Sequence, residues 1–262
     1  MPTPVELFSQ VSGDGERTVV LVHGLFGMSD NLGQLAKALE DSYRVHRLDL
    51  RNHGRSARSD SMALTEMAAD IENYLDINQI DNAAIVGHSL GGKVAMQLAL
   101  QGCSRLIGFA VADIAPVQYP PHHEGILAGL NSLQFDSIGN RADADRQLAE
   151  YVDEVGVRQF LLKNLYRNEH KQFALRMNLQ TIVACYPQIM QAPEGQPCQL
   201  PTLFIKGQNS DYITAEHTDL IKQLFPNLHF KMINGTGHWL HAEKPEIFNR
   251  IVQQFLDAHI GW

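Results

Sequence analysis

The chain has 262 residues, 44% hydrophobic and 19% charged, enough to bury a sizeable core without disulfides or metal. No apolar run approaches the roughly 20 residues that span a bilayer. The formal charge of −8 argues against a nucleic-acid partner, which needs clustered cations, and Cys103, Cys185 and Cys198 lack the spacing of a zinc site or a disulfide framework.

Along the chain, the opening "MPTPVELFSQVSGDGERT" has neither a basic leader nor an apolar segment, which makes the cytoplasm the expected compartment. A strand is predicted over 17–24, a helix over 31–40, a strand over 43–50, a helix over 64–78, a strand over 82–89, a helix over 91–101 and a strand over 105–113. From 115 to 198 only helical patterns follow, bounded by the Pro-rich stretches "APVQYPP" and "QAPEGQPCQLP". Alternation then resumes with a strand over 202–207, a helix over 215–225, a strand over 229–235 and a helix over 245–260. The near-continuous Val, Ile and Leu content of the strands predicts a sheet covered on both faces, so the class is α/β with a mostly parallel, doubly wound sheet. The predicted division is a core of 1–114 and 199–262 with a helical cap inserted at 115–198.

"VGHSLGG" at 86–92 places Ser89 between a strand and a helix, with glycines at 87, 91 and 92. GxSxG in that setting is a nucleophile elbow, where a tight turn lifts the serine hydroxyl above the sheet. The same letters nearly satisfy a phosphate-cradling loop through Gly87, Gly92 and Lys93, but Val94 stands where that loop needs a hydroxyl for Mg²⁺. Acyl chemistry also needs backbone N–H donors for a developing oxyanion. "HGLFG" at 23–27 offers Leu25 or Phe26, and Leu90 follows the serine.

In their order, HGLFG, "DLRNHGRS" at 49–56, GHSLGG at 87–92 and "GTGHWLHAEKP" at 235–245 resemble the α/β-hydrolase superfamily. More narrowly, RNHGRS with HGLFG and GHSLGGKVAM resembles the bacterial YbfF-like esterases, small serine hydrolases with a helical cap. The resemblance implies hydrolysis of acyl esters and thioesters without metal or organic cofactor. It also implies the chain order serine, acid, histidine, which selects His238 among 12 histidines. His241 and His88 are weaker candidates for the base; His241 reads as a surface residue and His88 as directed away from the serine.

The acid has two candidate positions. In the superfamily it usually follows the penultimate strand, where "KGQNSDYI" puts Ser210 in the expected slot and Asp211 one place late. The other location follows the strand after the nucleophile helix and holds Asp113. Asp113 is the preferred acid, with Ser210 hydrogen-bonded to it and Asp211 as the alternative.

Asp49, Arg51, Asn52, Gly54 and Ser56 read as braces of a loop. His23 reads as shaping its own turn, and it stands with Asn52, His88 and Trp239 as a candidate for contact with substrate. "HHE" at 122–124 reads as solvated cap surface, because adjacent histidines do not share a helix face. The expected partner is a small acyl ester or thioester. A lyase, a carbon–carbon bond hydrolase and a ligand receptor on the same scaffold remain the alternatives.

Overall fold

A computed structural model describes residues 3–262, so Met1 and Pro2 of the opening stretch lie outside the described residues. The first part of the chain forms β1 (Ser9–Ser12), β2 (Thr18–Val22), α1 (Gly33–Leu39), β3 (Arg44–Leu48), α2 (Leu64–Ile77), β4 (Ala83–His88), α3 (Leu90–Leu100) and β5 (Leu106–Ala112). Next come α4 (Glu124–Ser132), α5 (Arg141–Leu148), α6 (Val155–Leu162), β6 (Leu165–Arg167), β7 (Phe173–Leu175), α7 (Leu179–Ala184) and α8 (Tyr186–Met190). The chain closes with β8 (Thr202–Gly207), α9 (Thr218–Leu224), β9 (Leu228–Ile233), α10 (Leu240–Glu243) and α11 (Pro245–His259).

Seven strands form one sheet in the order β1-β3-β2-β4-β5-β8-β9. Every neighbouring pair is parallel except β1 with β3. Successive side chains of a strand point to opposite faces, so Val20 and Val22 enter one apolar cluster with residues of α2 and α3, while Val19 and Leu21 enter another with α1 and α11. In α11, Phe248, Val252, Phe255 and Leu256 recur at helical spacing and bury one stripe. Each such side chain contributes about 1.5–3 kcal/mol on burial.

The strand order reverses between β2 and β4: the chain leaves β2 toward β3 on one side and leaves β4 toward β5 on the other. Loops at the C-terminal ends of these two strands diverge and leave a crevice, the usual place for a ligand in an open α/β sheet.

Two strand assignments depart from the sequence expectation. Residues 115–198 are not purely helical, because β6 and β7 pair antiparallel around a turn in which the Asn168 side-chain oxygen accepts from the backbone of His170 and Gln172. Three-residue strands are too short to display a period of two; they also stay outside the seven-stranded sheet. β1 is the other addition: "SQVS" carries no apolar run, and it exists as a strand through its ladder to β3.

The loop after β3 is tied down by a buried ion pair. Arg51 reaches α2 and donates to both oxygens of Asp70, at 2.7 and 2.8 Å, with the two side chains 1% and 0% exposed. Arg51 also pairs with Glu66 of α2, so removing the Asp70 charge weakens the pairing of the buried guanidinium without stranding it. Asp70→Asn is therefore expected to destabilise the fold by about 1.5–3 kcal/mol in urea unfolding; a loss below about 0.5 kcal/mol would show that the pair is not the anchor of this loop.

Candidate active site

Ser89 sits between β4 and α3 at φ 52° and ψ −117°, a strained conformation for a residue with a Cβ. The turn is tight because other backbone lies against it. A Cβ on Gly87 would stand 2.2 Å from the Gly91 carbonyl oxygen, and one on Gly91 would stand 2.3 Å from that of Val22. The Ser89 N–H donates to the Ala112 carbonyl at 2.9 Å, fixing the turn to the end of β5.

The structure brings three of the sequence candidates into one chain of hydrogen bonds. His238 Nε2 lies 3.0 Å from Ser89 Oγ, and His238 Nδ1 lies 2.8 Å from Asp113 Oδ2. Asp113 is fully buried at φ 55°. Its Oδ1 accepts the Gly207 N–H at 2.9 Å, and its Oδ2 also accepts the Ser210 hydroxyl. Asp211 is exposed and makes no hydrogen bond to His238 among the described residues. The chain turns at Ser210, so that the hydroxyl, not the following carboxylate, reaches Asp113.

Further groups hold His238. Tyr212 stacks on its ring at 3.9 Å and 22°, and the Tyr212 hydroxyl bonds His122 Nε2 at 2.6 Å. The Tyr119 hydroxyl donates to the Tyr212 carbonyl. His88 Nε2–H donates to the His238 carbonyl at 2.8 Å, and the His88 ring lies 4.3 Å from that of His241. His241 is buried beneath this cluster rather than on the surface.

The turn after β2 settles which amides are free. Phe26 N–H donates to His53 Nε2 at 3.2 Å, so Phe26 is removed as an oxyanion donor. Its carbonyl accepts from the buried Asn164 side chain at 2.7 Å. The amides of Leu25 and Leu90 have no backbone acceptor among the described residues. Because His53 Nε2 accepts, its Nδ1–H must donate, and it does so to the Arg51 carbonyl at 3.0 Å. His23 follows the same logic, accepting the Leu50 N–H at 3.0 Å and donating to the Gly24 carbonyl at 2.8 Å. Burial pushes both imidazoles down, His53 to about 3, in accord with neutral rings.

Ser89 opens into a cavity of about 450 Å³. Ile126, Val157, Phe160 and Trp239 supply apolar wall, and Asp153 and Glu154 supply charge. His88 and Trp239 line it, whereas His23 and Asn52 do not. His23 is spent on the backbone of its own turn; Asn52 is buried, its side-chain oxygen accepting from Ser59 N–H and Asn178. His122 is exposed, as the sequence reading has it, and His123 is half-buried, yet both line the cavity, held by the hydroxyls of Tyr212 and Tyr186. A recess of only about 20 Å³ also borders Ser89, lined by Leu90, Lys93 and Tyr119. Lys93 is buried with its ammonium donating to the carbonyls of Met190 at 2.9 Å and Gln191 at 2.6 Å. Burial pushes its pKa down to about 7. No cluster of His, Cys, Asp and Glu that could hold a metal occurs among the described residues.

Comparison with known proteins agrees with this architecture. A family described as the alpha/beta hydrolase fold matches residues 17–245. Esterase YbfF of Escherichia coli (strain K12) is 38% identical over 240 residues, covering 91% of this chain and 92% of that protein. The sn-1-specific diacylglycerol lipase ABHD11 of Mus musculus is 37% identical, covering 93% of this chain and 83% of that one. A solved structure described as a marine microorganism esterase superposes with a TM-score of 0.94 at 36% identity, covering 96% of this chain and 100% of that one.

Proposed function

Because the chain belongs to the α/β-hydrolase family and is a hydrolase of ester bonds, we propose that it works through an acyl-enzyme on Ser89. His238 is the base and then the acid, and Asp113 orients it. The observation that carries the reading is the hydrogen-bond chain from Ser89 through His238 to Asp113, set beside two free amides.

The steps follow from that geometry. Ser89 Oγ attacks the acyl carbon as its proton passes to His238 Nε2, and the carbonyl oxygen takes the negative charge. The N–H groups of Leu25 and Leu90 receive this oxyanion, the interaction that strengthens as charge develops. Collapse breaks the bond to the leaving oxygen or sulfur, which takes the proton from His238. Water then repeats the sequence on the acyl-enzyme and releases the acid with Ser89 restored.

Residues 115–198 serve as the cap in this reading. Two buried contacts support it: Asn164 is bonded to the Phe26 carbonyl, and Lys93 of α3 to the carbonyls at the end of α8. The cap walls the cavity and limits water at the oxyanion. Acyl thioesters undergo the same chemistry, but Asp153 and Glu154 at the cavity disfavour a polyanionic leaving group.

Turnover of p-nitrophenyl esters of increasing acyl length, set against neutral and polyanionic acyl thioesters, tests the proposal. The expected order is neutral ester and neutral thioester ahead of polyanionic thioester. No turnover of any ester by the folded protein would overturn it.

Tyr212 is the positioning residue that this mechanism adds. Its stacked ring restricts the imidazole to one orientation and favours the imidazolium that forms, an effect of about 0.5–2 kcal/mol. Tyr212→Ala is expected to lower kcat by about tenfold with KM little changed, and Tyr212→Phe to restore it. Equal losses in both variants would place the effect in the hydroxyl and its bond to His122.

A further inference from the structure

A second cavity, of about 200 Å³, lies at the junction of the core with residues 115–198, and none of its lining residues lines the cavity over Ser89. Four cations face it: Arg55 from the loop after β3, Arg141 at the start of α5, Lys163 after α6 and Arg176 after β7. None of the four makes an ion pair among the described residues.

Two carboxylates share the lining, and both are engaged. Asp49 is buried and accepts the backbone N–H groups of Ser29 at 2.6 Å and Arg55 at 2.8 Å. Asp30 accepts from Gln10 at 2.7 Å and faces Arg47 at 3.9 Å. Four cations against two carboxylates leave an excess of two positive charges around one cavity, on a chain whose formal charge is −8.

The cations are also held in place by groups that do not neutralise them. Arg55 lies over the Phe8 ring at 4.8 Å and Arg176 over the Tyr166 ring at 4.6 Å, while Arg141 donates to the carbonyls of Leu162 and Leu165. Like charges gathered without counter-charge cost energy that an anion would relieve.

We propose that this cavity binds a phosphate group carrying two negative charges, as in a phosphate monoester or a diphosphate. Planar guanidinium groups match phosphate oxygens. Because Arg55 belongs to the core and the other three to the inserted segment, an occupant ties the two together, independently of the chemistry at Ser89.

Calorimetric titration with inorganic pyrophosphate tests the proposal, using the wild type, Arg55→Ala, Lys163→Ala and Lys222→Ala, the last removing a charge from α9. Neither the Arg55 nor the Lys163 side chain makes a hydrogen bond within the described protein, so these variants keep the fold. Wild type and Lys222→Ala are expected to bind equally, with an accompanying rise in Tm; Arg55→Ala and Lys163→Ala are expected to bind about tenfold more weakly. Cosedimentation with phosphatidylcholine vesicles, with or without phosphatidic acid, whose headgroup is a phosphate monoester, distinguishes the source of the phosphate. Binding confined to the phosphatidic acid vesicles and weakened in the same two variants assigns the phosphate to a lipid headgroup and supports the site. No binding in either format, or equal binding by all four proteins, overturns it.

Discussion

Replacing Asp113 by Asn is expected to lower kcat/KM for a p-nitrophenyl ester by about 10⁴-fold while leaving the fold intact. The carboxylate accepts from His238 Nδ1 at 2.8 Å, which keeps Nε2 unprotonated and able to take the Ser89 proton. An amide in that place can present N–H to the ring and favour the opposite tautomer. The other two interactions of Asp113, with Gly207 N–H and the Ser210 hydroxyl, hold it where it can serve. Ser210→Ala is expected to cost about tenfold, in line with one hydrogen bond to a charged acceptor. Asp211→Asn is expected to change the rate by less than about twofold, because an exposed side chain that is not bonded to His238 has little to stabilise. The comparison is measured as kcat/KM with circular dichroism on each variant. A large loss in Asp211→Asn with a small one in Asp113→Asn would reverse the assignment.

Acid is expected to unfold the protein well before its carboxylates alone would require. Burial lowers the pKa values of His23, His53, His88 and His241, with His53 and His241 brought to about 3. In the unfolded chain a histidine titrates near 6.5. Below that value the unfolded state takes up protons that the folded state refuses, so the contribution to stability is present above about pH 6.5 and is lost as pH falls toward about 3. Each histidine removes about 1.4 kcal/mol per pH unit in that window. By about pH 4.5 His53 and His241 together remove about 5 kcal/mol, comparable with the whole stability of a marginal domain. His23 and His88 act in the same direction. Thermal unfolding followed from pH 7 to 4 checks this. His241→Leu should move the acid midpoint to lower pH, since it removes one titrating group whose Nδ1 has no partner to lose. An unchanged midpoint would contradict the burial argument.

The sequence carries the site unevenly, for physical reasons. Ser89 is legible because backbone crowding admits only glycine at 87 and 91, a constraint written in residue type. His238 is legible through chain order, and Asp113 only as one of two candidates, because which carboxylate reaches an imidazole depends on how two loops meet. The central strands β2, β4, β5 and β8 are legible because burial on both faces demands continuous apolar runs. β1 and the β6–β7 hairpin leave no such trace, being short and partly polar. Contacts between distant segments leave none either. Asn164 reaches the Phe26 carbonyl across 138 positions, and the Lys93 ammonium reaches Met190 across 97. That the exposed His122 and the half-buried His123 border the cavity shows only once two tyrosine hydroxyls from distant segments hold them there. Likewise, Phe26 and Leu25 are equivalent oxyanion donors in sequence and are separated only by the acceptor at His53.

The most direct measurement is intact-protein mass spectrometry after brief mixing with a p-nitrophenyl ester at low temperature, on the wild type and Ser89→Ala, with steady-state turnover measured in parallel. An acyl adduct on the wild type that maps to Ser89, absent from Ser89→Ala together with a loss of kcat of at least about 10⁴-fold, is the predicted result. Undiminished turnover in a folded Ser89→Ala protein, or an acyl adduct on another residue, would contradict the proposed chemistry at the end of β4.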